Sequence, residues 1–509
     1  MVAVITSFGS SLQHGYNIWV VNHPATLIQD FYNVTYHQKK ITLNKGFLSF
    51  LYNLTTALFS LGGLIGSLLP FLLFRRGALI LNNILSMISA LLMGFSSIVF
   101  ASEYTIFTRL LTGICSGVFS CVVPMYLGEV APKMLRGTVI SVSMVFVAVG
   151  ILVAESQFMP LSSCTEWPIL LSLMGFLALF QVLVLPCLPE SPRYLLIQKR
   201  NEVKARQALQ RLRCQESVDE ELEEMYQEDA VEKTEKVMGG LKILYYRGLR
   251  WQVISVIILM GGQQLSGINA VRTARRLVVE GNGVPHLGSP QVLGLRLPEA
   301  FSTPAEVLVY FIDTVGRRVL ILIGFAICSI LCVLLTMTLE LQVCTVICRA
   351  TEVTHGPVPN VLITELFLQS SRSTGFAIGG FVHWLLNFLT GMIFLHIEKQ
   401  LGSYSFLIFW PFSFGTFLFL FKIIPETRGK SFLDIKRLMT AHVARRIQVQ
   451  DSRRGSTQPS SRRPSLPPGS RRVSLTPGSR RDSLPPSSRR GSVQQNVKRK
   501  KRKATTKPT

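Results

Sequence analysis

Two short phrases recur at one fixed distance in this chain, and each copy closes an apolar run long enough to cross a bilayer. Glu129 and Arg136, with six residues between them, reappear as Glu365 and Arg372; Pro189-Glu190-Ser191 reappears as Pro425-Glu426-Thr427. Position 129 maps to 365 and position 189 maps to 425, by one and the same offset. The repeated unit is therefore a bundle of spans, and the fold must be built twice from one plan.

The apolar residues are blocked, not scattered with a period of 2 or 3.6. Leu48–Phe74, Ala78–Ala101 and Val319–Leu339 approach or exceed the roughly 20 residues that a helix needs to cross hydrocarbon. Spans are read near 2–22, 48–73, 78–100, 104–126, 137–158, 168–187, 252–271, 319–341, 376–396 and 404–424, with two weaker ones near 287–312 and 343–364. The first span can insert the chain without a cleaved leader. Parallel repeats of this length in a membrane chain imply a transporter whose substrate lies between two homologous halves.

Net charge is +24, but from Arg445 onward 19 Lys/Arg face only Asp451 and Asp482, so the last segment carries +17 and the membrane body about +7. The basic character belongs to a tail, which excludes reading the whole chain as a nucleic-acid binder. The nine cysteines lie mostly in apolar stretches without zinc-like spacing, so Cys328, Cys332, Cys344 and Cys348 read as small packing residues. Neither a metal nor a cofactor is expected.

Residues 189–250 are rich in charge, with helical patterning from Glu202 to Met238, and read as a cytoplasmic linker. Six spans then precede it, both termini are cytoplasmic, and the loop 23–46 is external. Asn33-Val34-Thr35 in that loop is an N-glycosylation acceptor that agrees with this topology. The expected division is a six-helix bundle over 1–188, the linker over 189–250, a second six-helix bundle over 251–440, and a disordered basic tail over 441–509. The tail repeats Arg-Arg-x-Ser at a regular spacing, ending on Ser456, Ser465, Ser474, Ser483 and Ser492. Paired arginines before a serine suit the acidic pockets of basophilic kinases. Unmodified, the tail would lie on anionic lipids, and phosphorylation would lift it.

No catalytic constellation stands out, so an enzyme is not expected. Polar residues inside spans mark a permeation path. The strongest group is Gln263-Gln264-Leu265-Ser266-Gly267-Ile268-Asn269, whose neutral amides both donate and accept and so suit a polyhydroxylated substrate. Gln263–Asn269, Pro189-Glu190-Ser191-Pro192-Arg193, Gly128-Glu129 with Arg136-Gly137, Asp313-x-x-Gly316-Arg317-Arg318 and Pro425-Glu426-Thr427-x-Gly429-Lys430 together resemble the facilitative hexose transporters of the major facilitator superfamily. Val382-His383-Trp384 and Ile363–Arg372 look like its fructose-transporter branch.

That resemblance implies an all-α fold of twelve transmembrane helices in two six-helix halves. It also implies a monomer in the plasma membrane that moves fructose or glucose by alternating access. Residue by residue, it implies that Gln263, Gln264 and Asn269 bind sugar hydroxyls, with His383, Trp384 and Asn387 on the opposite wall. Glu129, Arg136, Glu190, Arg193, Asp313, Arg317, Arg318, Glu365, Arg372 and Glu426 are implied to form inner ion pairs that close the outward-open state.

The chain departs from that pattern at Glu155 and after Asn269, with smaller departures at Arg75-Arg76-Gly77 and in the short segment His355–Asn360. Glu155 stands where the fructose branch carries Gln; an ionised carboxylate accepts but does not donate, so the accepted hydroxyl pattern changes and glucose becomes a candidate, with proton coupling as an alternative. After Asn269 the text turns to Val271-Arg272-Thr273-Ala274-Arg275-Arg276, and each arginine at membrane depth costs on the order of 3 kcal/mol. The replaced stretch, 272–312, has the pattern of a shifted and later restored reading frame. A transport-inactive membrane protein with a phospho-regulated tail is the alternative function.

Overall fold

The computed structural model describes residues 1–22, 24–40, 44–69, 75–99, 101–156, 167–234, 249–266, 312–340 and 358–441. Asn269, the arginine-bearing stretch after it, positions 287–311 and 343–357 of the two weak spans, and the five tail serines lie outside the described residues. Among the described residues every regular element is helical. Eight helices among the described residues are long and apolar enough to cross a membrane, where the hydropathy marks ten spans and two weaker ones along the whole chain.

The first span is α1 (Val2–Thr6) and α2 (Leu12–Trp19), joined by a π-helical turn at Ser7–Ser11. Beside that turn Gln181 Nε2 donates to the Ile5 carbonyl at 2.6 Å. Gly9 makes this possible, because a Cβ there would sit 1.7 Å from the Gln181 amide nitrogen. Hydropathy marks the span near 2–22 but not this turn within it. The expected external loop is instead largely helical, as α3 (Ala25–Gln38). Tyr32 holds it to the bundle through a hydroxyl bond to Thr55 at 2.8 Å. Asn33 is half-buried on this helix, and the Thr35 hydroxyl donates to the Phe31 carbonyl at 2.8 Å.

The first half continues with α4 (Lys45–Leu68), α5 (Arg75–Gly94), the short α6 (Ser96–Val99), α7 (Ser102–Val130) and α8 (Arg136–Ser156), then a sixth span broken into α9 (Trp167–Ser172) and α10 (Gly175–Val184). Lipid supplies no hydrophobic drive between helices, so close backbone approach has to hold them together. Gly62 and Gly66 on α4 meet the α7 backbone at Leu110 and Ile114, and Gly113 and Gly117 on α7 meet the α4 backbone at Phe59 and Gly63, each pair spaced by one helical turn. A Cβ at Gly113 would lie 2.1 Å from the Phe59 carbonyl oxygen, and one at Gly117 would lie 2.2 Å from that of Gly63.

The linker forms α11 (Glu202–Arg213) and α12 (Asp219–Thr234). The single helical pattern expected from Glu202 onward breaks at Cys214, which adopts a left-handed conformation with φ +53. Asn201 starts α11 by accepting from the Lys204 N–H at 3.0 Å. The second half is α13 (Arg250–Gln264), α14 (Arg317–Glu340), α15 (Val358–Leu366), α16 (Gln369–Leu401) and α17 (Trp410–Ile423), followed by a helical segment at 432–441.

Linker helix α12 docks on the start of α16. Glu228 accepts from the Gln369 N–H at 3.2 Å, and Glu232 accepts from the Ser370 N–H at 2.9 Å and from the Ser370 hydroxyl. These carboxylates occupy the orphan donors of a helix N-terminus. Burial pushes the Glu232 carboxyl above its ordinary value of 4.5, although the bonds from Ser370 pull the other way. Docked Glu232 therefore keeps its proton where the detached carboxyl has lost it. Its contribution to docking is full below about pH 4.5 and is lost as pH rises through the elevated value.

Two outcomes follow from this packing. Gly117→Ala overpacks the α4–α7 seam by about 1–3 kcal/mol and lowers the thermal midpoint in detergent by several degrees; Gly415→Ala, where a Cβ meets nothing within 4 Å, leaves it unchanged. Glu232→Gln keeps the bond from the Ser370 N–H on its carbonyl oxygen, reverses the other so that its Nε2 donates to the Ser370 hydroxyl, and carries no charge to desolvate. Hydrogen exchange of residues 219–234 should then lose the part of its pH dependence that lies above pH 4.5 in the unaltered chain.

Candidate functional site

The two halves meet at a charged seam, on the inner face in the topology read from the sequence, and at a polar cavity. At the inner face the repeated Glu-x6-Arg phrase ends one helix and starts the next in both halves: α7 into α8, and α15 into α16. This places a carboxylate and a guanidinium from each half on a shared seam. Glu129 and Arg372 pair across it at 3.5 Å with both side chains fully buried. The Thr138 N–H and hydroxyl donate to Asp313 Oδ2 at 2.7 and 2.5 Å, again from one half to the other. Gly137 permits that approach, since a Cβ there would lie 2.4 Å from Asp313 Oδ1.

Within the second half, Arg317 bonds Asp313 at 2.7 Å and Glu365 at 3.3 Å. Arg136, the repeat partner of Arg372, has no acceptor for its Nε and Nη2 among the described residues. Its guanidinium lies 3.8 Å from the centroid of the Phe432 ring. Arg193 is held by Glu228 and, at 3.8 Å, by Glu224 of the linker.

Not every inner charge spans the seam. Glu426 accepts from the backbone N–H groups of Arg317, Arg318, Thr427 and Arg428 at 3.0–3.1 Å, capping the start of α14. Glu190 does the same for α5, accepting from the Arg76 N–H at 3.3 Å and pairing with Arg76 Nε at 3.5 Å. Arg318 donates to the Phe421 carbonyl at 2.9 Å. Glu190, Arg318 and Glu426 thus act inside one half, because a carboxylate near a helix N-terminus is stabilised by the free N–H groups there.

The cavity, about 90 Å³, lies between α2, α7 and α8 of the first half and α13, α15 and α16 of the second. Pro124 inside α7 removes a helical N–H one turn from Ser120. On the second-half side Gln263 lines the cavity, and Gln264 Nε2 lies 2.8 Å from His383 Nδ1. His383 therefore stands beside Gln264, not across from it, because α13 packs on α16. The opposite wall carries His14, Ser120 and Ser143. Trp384 is buried below His383. Its indole N–H donates to Ser120 Oγ at 3.3 Å, and its ring meets those of His14 and Phe59 at 6.2 and 5.8 Å.

Gly63 leaves room for that indole, since a Cβ there would touch it at 2.4 Å. One turn on, Asn387 Oδ1 accepts from Ser60 Oγ at 3.3 Å. Glu155 falls in the last turn of α8, and its side chain lies outside the described residues.

The reading from sequence missed His14, Ser120 and Asn360, which also line the cavity. All three are polar residues inside apolar spans, the same signal that singled out Gln263. Cys328 and Cys332 are buried and both donate to the Ser266 carbonyl at 3.6 Å. No cluster of metal ligands exists among the described residues.

This arrangement can hold a neutral, hydroxyl-rich molecule between two bundles whose inner faces are locked by buried charge. A family model described as "Sugar (and other) transporter" matches residues 2–439. The human solute carrier family 2, facilitated glucose transporter member 5, is 45% identical over 460 residues, covering 86% of this chain and 91% of that protein. Human member 7 is 42% identical over 458 residues, covering 86% and 89%.

Among solved structures, the proton:xylose symporter XylE bound to 6-bromo-6-deoxy-D-glucose matches with a TM-score of 0.76 at 21% identity, over 86% of this chain and 98% of that one. The inward-open form of XylE from E. coli matches with 0.61 at 20% identity, over 86% and 99%. The fold is that of the major facilitator superfamily, and the chain belongs to the sugar (and other) transporter family as an integral, multi-pass membrane protein.

Proposed function

We propose that this protein is a facilitative uniporter that moves a hexose, fructose or glucose, across the plasma membrane by alternating access, acting as a monomer with both termini in the cytoplasm. The observation that carries the reading is the pairing of a neutral polar cavity with a buried ionic seam. Gln263, Gln264 and His383 on one side and His14 and Ser120 on the other present donors and acceptors, and among the described residues that line the cavity none carries a formal charge to pair with an ionic substrate. That its relatives are named facilitated glucose transporters supports the substrate class.

In this reading Gln263, Gln264, Asn269 and His383 contact sugar hydroxyls, while Trp384 and Asn387 hold α16 against the first half. The inner pair Glu129–Arg372, with Asp313 on Thr138, exists only while the inner face is closed. It therefore biases the rocking equilibrium toward the outward-facing state. Asn33 is the proposed glycosylation site. The tail serines Ser456, Ser465, Ser474, Ser483 and Ser492 are proposed targets of a basophilic kinase that weakens the tail's attraction to anionic lipids.

Uptake of labelled glucose and fructose into proteoliposomes should be saturable and need no proton gradient. Gln264→Ala should reduce it by at least tenfold while leaving the protein folded by thermal midpoint. Absence of uptake for both sugars in the unaltered protein would favour the transport-inactive alternative. Glu155→Gln restores a donor at its position and should change the fructose-to-glucose uptake ratio several-fold; an unchanged ratio would remove Glu155 from the specificity account.

A further inference from the structure

Three guanidinium groups converge on one aromatic ring at the inner face. The Phe432 centroid lies 3.8 Å from Arg136, 4.3 Å from Arg372 and 4.7 Å from Arg193. Those arginines come from the first half, the second half and the linker. The ring is only 2% exposed. It is delivered by the segment after α17, where Gly429 turns at φ +65 and Ser431 starts a helical stretch by accepting from the Asp434 N–H at 3.2 Å.

Like charges this close repel, and two of the three have carboxylate partners: Arg372 has Glu129, and Arg193 has Glu228. Arg136 makes no ion pair within 4 Å among the described residues; Glu365 acts on it only from farther off, and its guanidinium faces the ring. The negative faces of an aromatic ring attract desolvated guanidinium groups, which an aliphatic side chain of similar size does not. Packing alone does not demand an aromatic residue here. The offset that carries 129 to 365 carries 196 to 432, and the first-half counterpart Leu196 is aliphatic and buried as well, at 5% exposure.

We propose that Phe432 is a positioning residue of the inner gate, its ring the shared seat that holds Arg136, Arg193 and Arg372 together when the inner face is closed. The segment 432–441 is then a third part of the gate, beside the two halves. Inward opening must pull Arg136 and Arg372 off the ring, so anything that draws this segment away from the body loosens the closed state. This rests on reading the inner ion pairs as a gate.

Hydrogen exchange of the full-length protein in lipid nanodiscs, without sugar, tests the assignment. Phe432→Leu keeps the apolar contact with its neighbours Leu368 and Val231 but removes the ring, and should speed exchange of residues 128–138 and 365–374 by about tenfold. Phe432→Trp, which keeps a ring face, should stay within about twofold of the unaltered protein. Exchange in α4 (Lys45–Leu68) should not change in either variant.

Equal behaviour of the leucine and tryptophan variants would overturn the proposal. So would no effect of leucine, or an equal rise in α4, which would mark Phe432 as ordinary packing. Because the readout needs no substrate, a gate that loosens in a protein with no sugar uptake would refute transport and leave this role standing.

Discussion

The buried ion pair between Glu129 and Arg372 is the constraint on which the rest of the structure depends. Two charges with no exposed side-chain area are tolerable only together, since removing one partner leaves the other uncompensated at a cost of about 3–5 kcal/mol. Their surroundings are arranged to keep them paired. Small residues at Gly128 and Gly137 let the halves touch, Asp313 grips the start of α8, and Glu228 and Glu232 fasten the linker to the start of α16. A seam of this kind binds strongly in one geometry and offers nothing in another. That is the property an alternating structure needs at its inner face.

The same constraint explains the division of labour along the repeat. Glu190 and Glu426 occupy equivalent places and do equivalent work, each capping a helix of its own half. Glu129 and Glu365 are also equivalent by sequence, but their partners differ: Arg372 across the seam for one, Arg317 within its half for the other. A twofold plan has thus acquired an asymmetric lock: Arg372 pairs closely with Glu129, while Arg136 faces the Phe432 ring with Glu365 farther off.

Much of this was legible in the sequence. Blocked hydropathy located the spans, and the constant offset between the paired phrases exposed the halves and named their inner charges. What it could not tell was which of those charges cross between halves, because helix capping and seam pairing draw on the same residue types. Placing His383 opposite Gln264 failed for a similar reason: sequence separation does not say that α13 and α16 are neighbours. The π-turn at Ser7–Ser11 was hidden because its cause, the Gln181 side chain, comes from the sixth span, at the far end of the first half. Phe432 was invisible as anything but an apolar residue after a turn, since its meaning comes from three arginines gathered by tertiary packing.

The central claim is that the closed inner face is one of two states exchanged by sugar. Spin labels at Met134 and Val315, exposed positions of the first and second half, in a chain with its native cysteines replaced, would report the distance across the seam by pulsed electron resonance. Two distance populations whose ratio shifts with saturating glucose or fructose are predicted. A single distance that neither sugar moves would contradict the account.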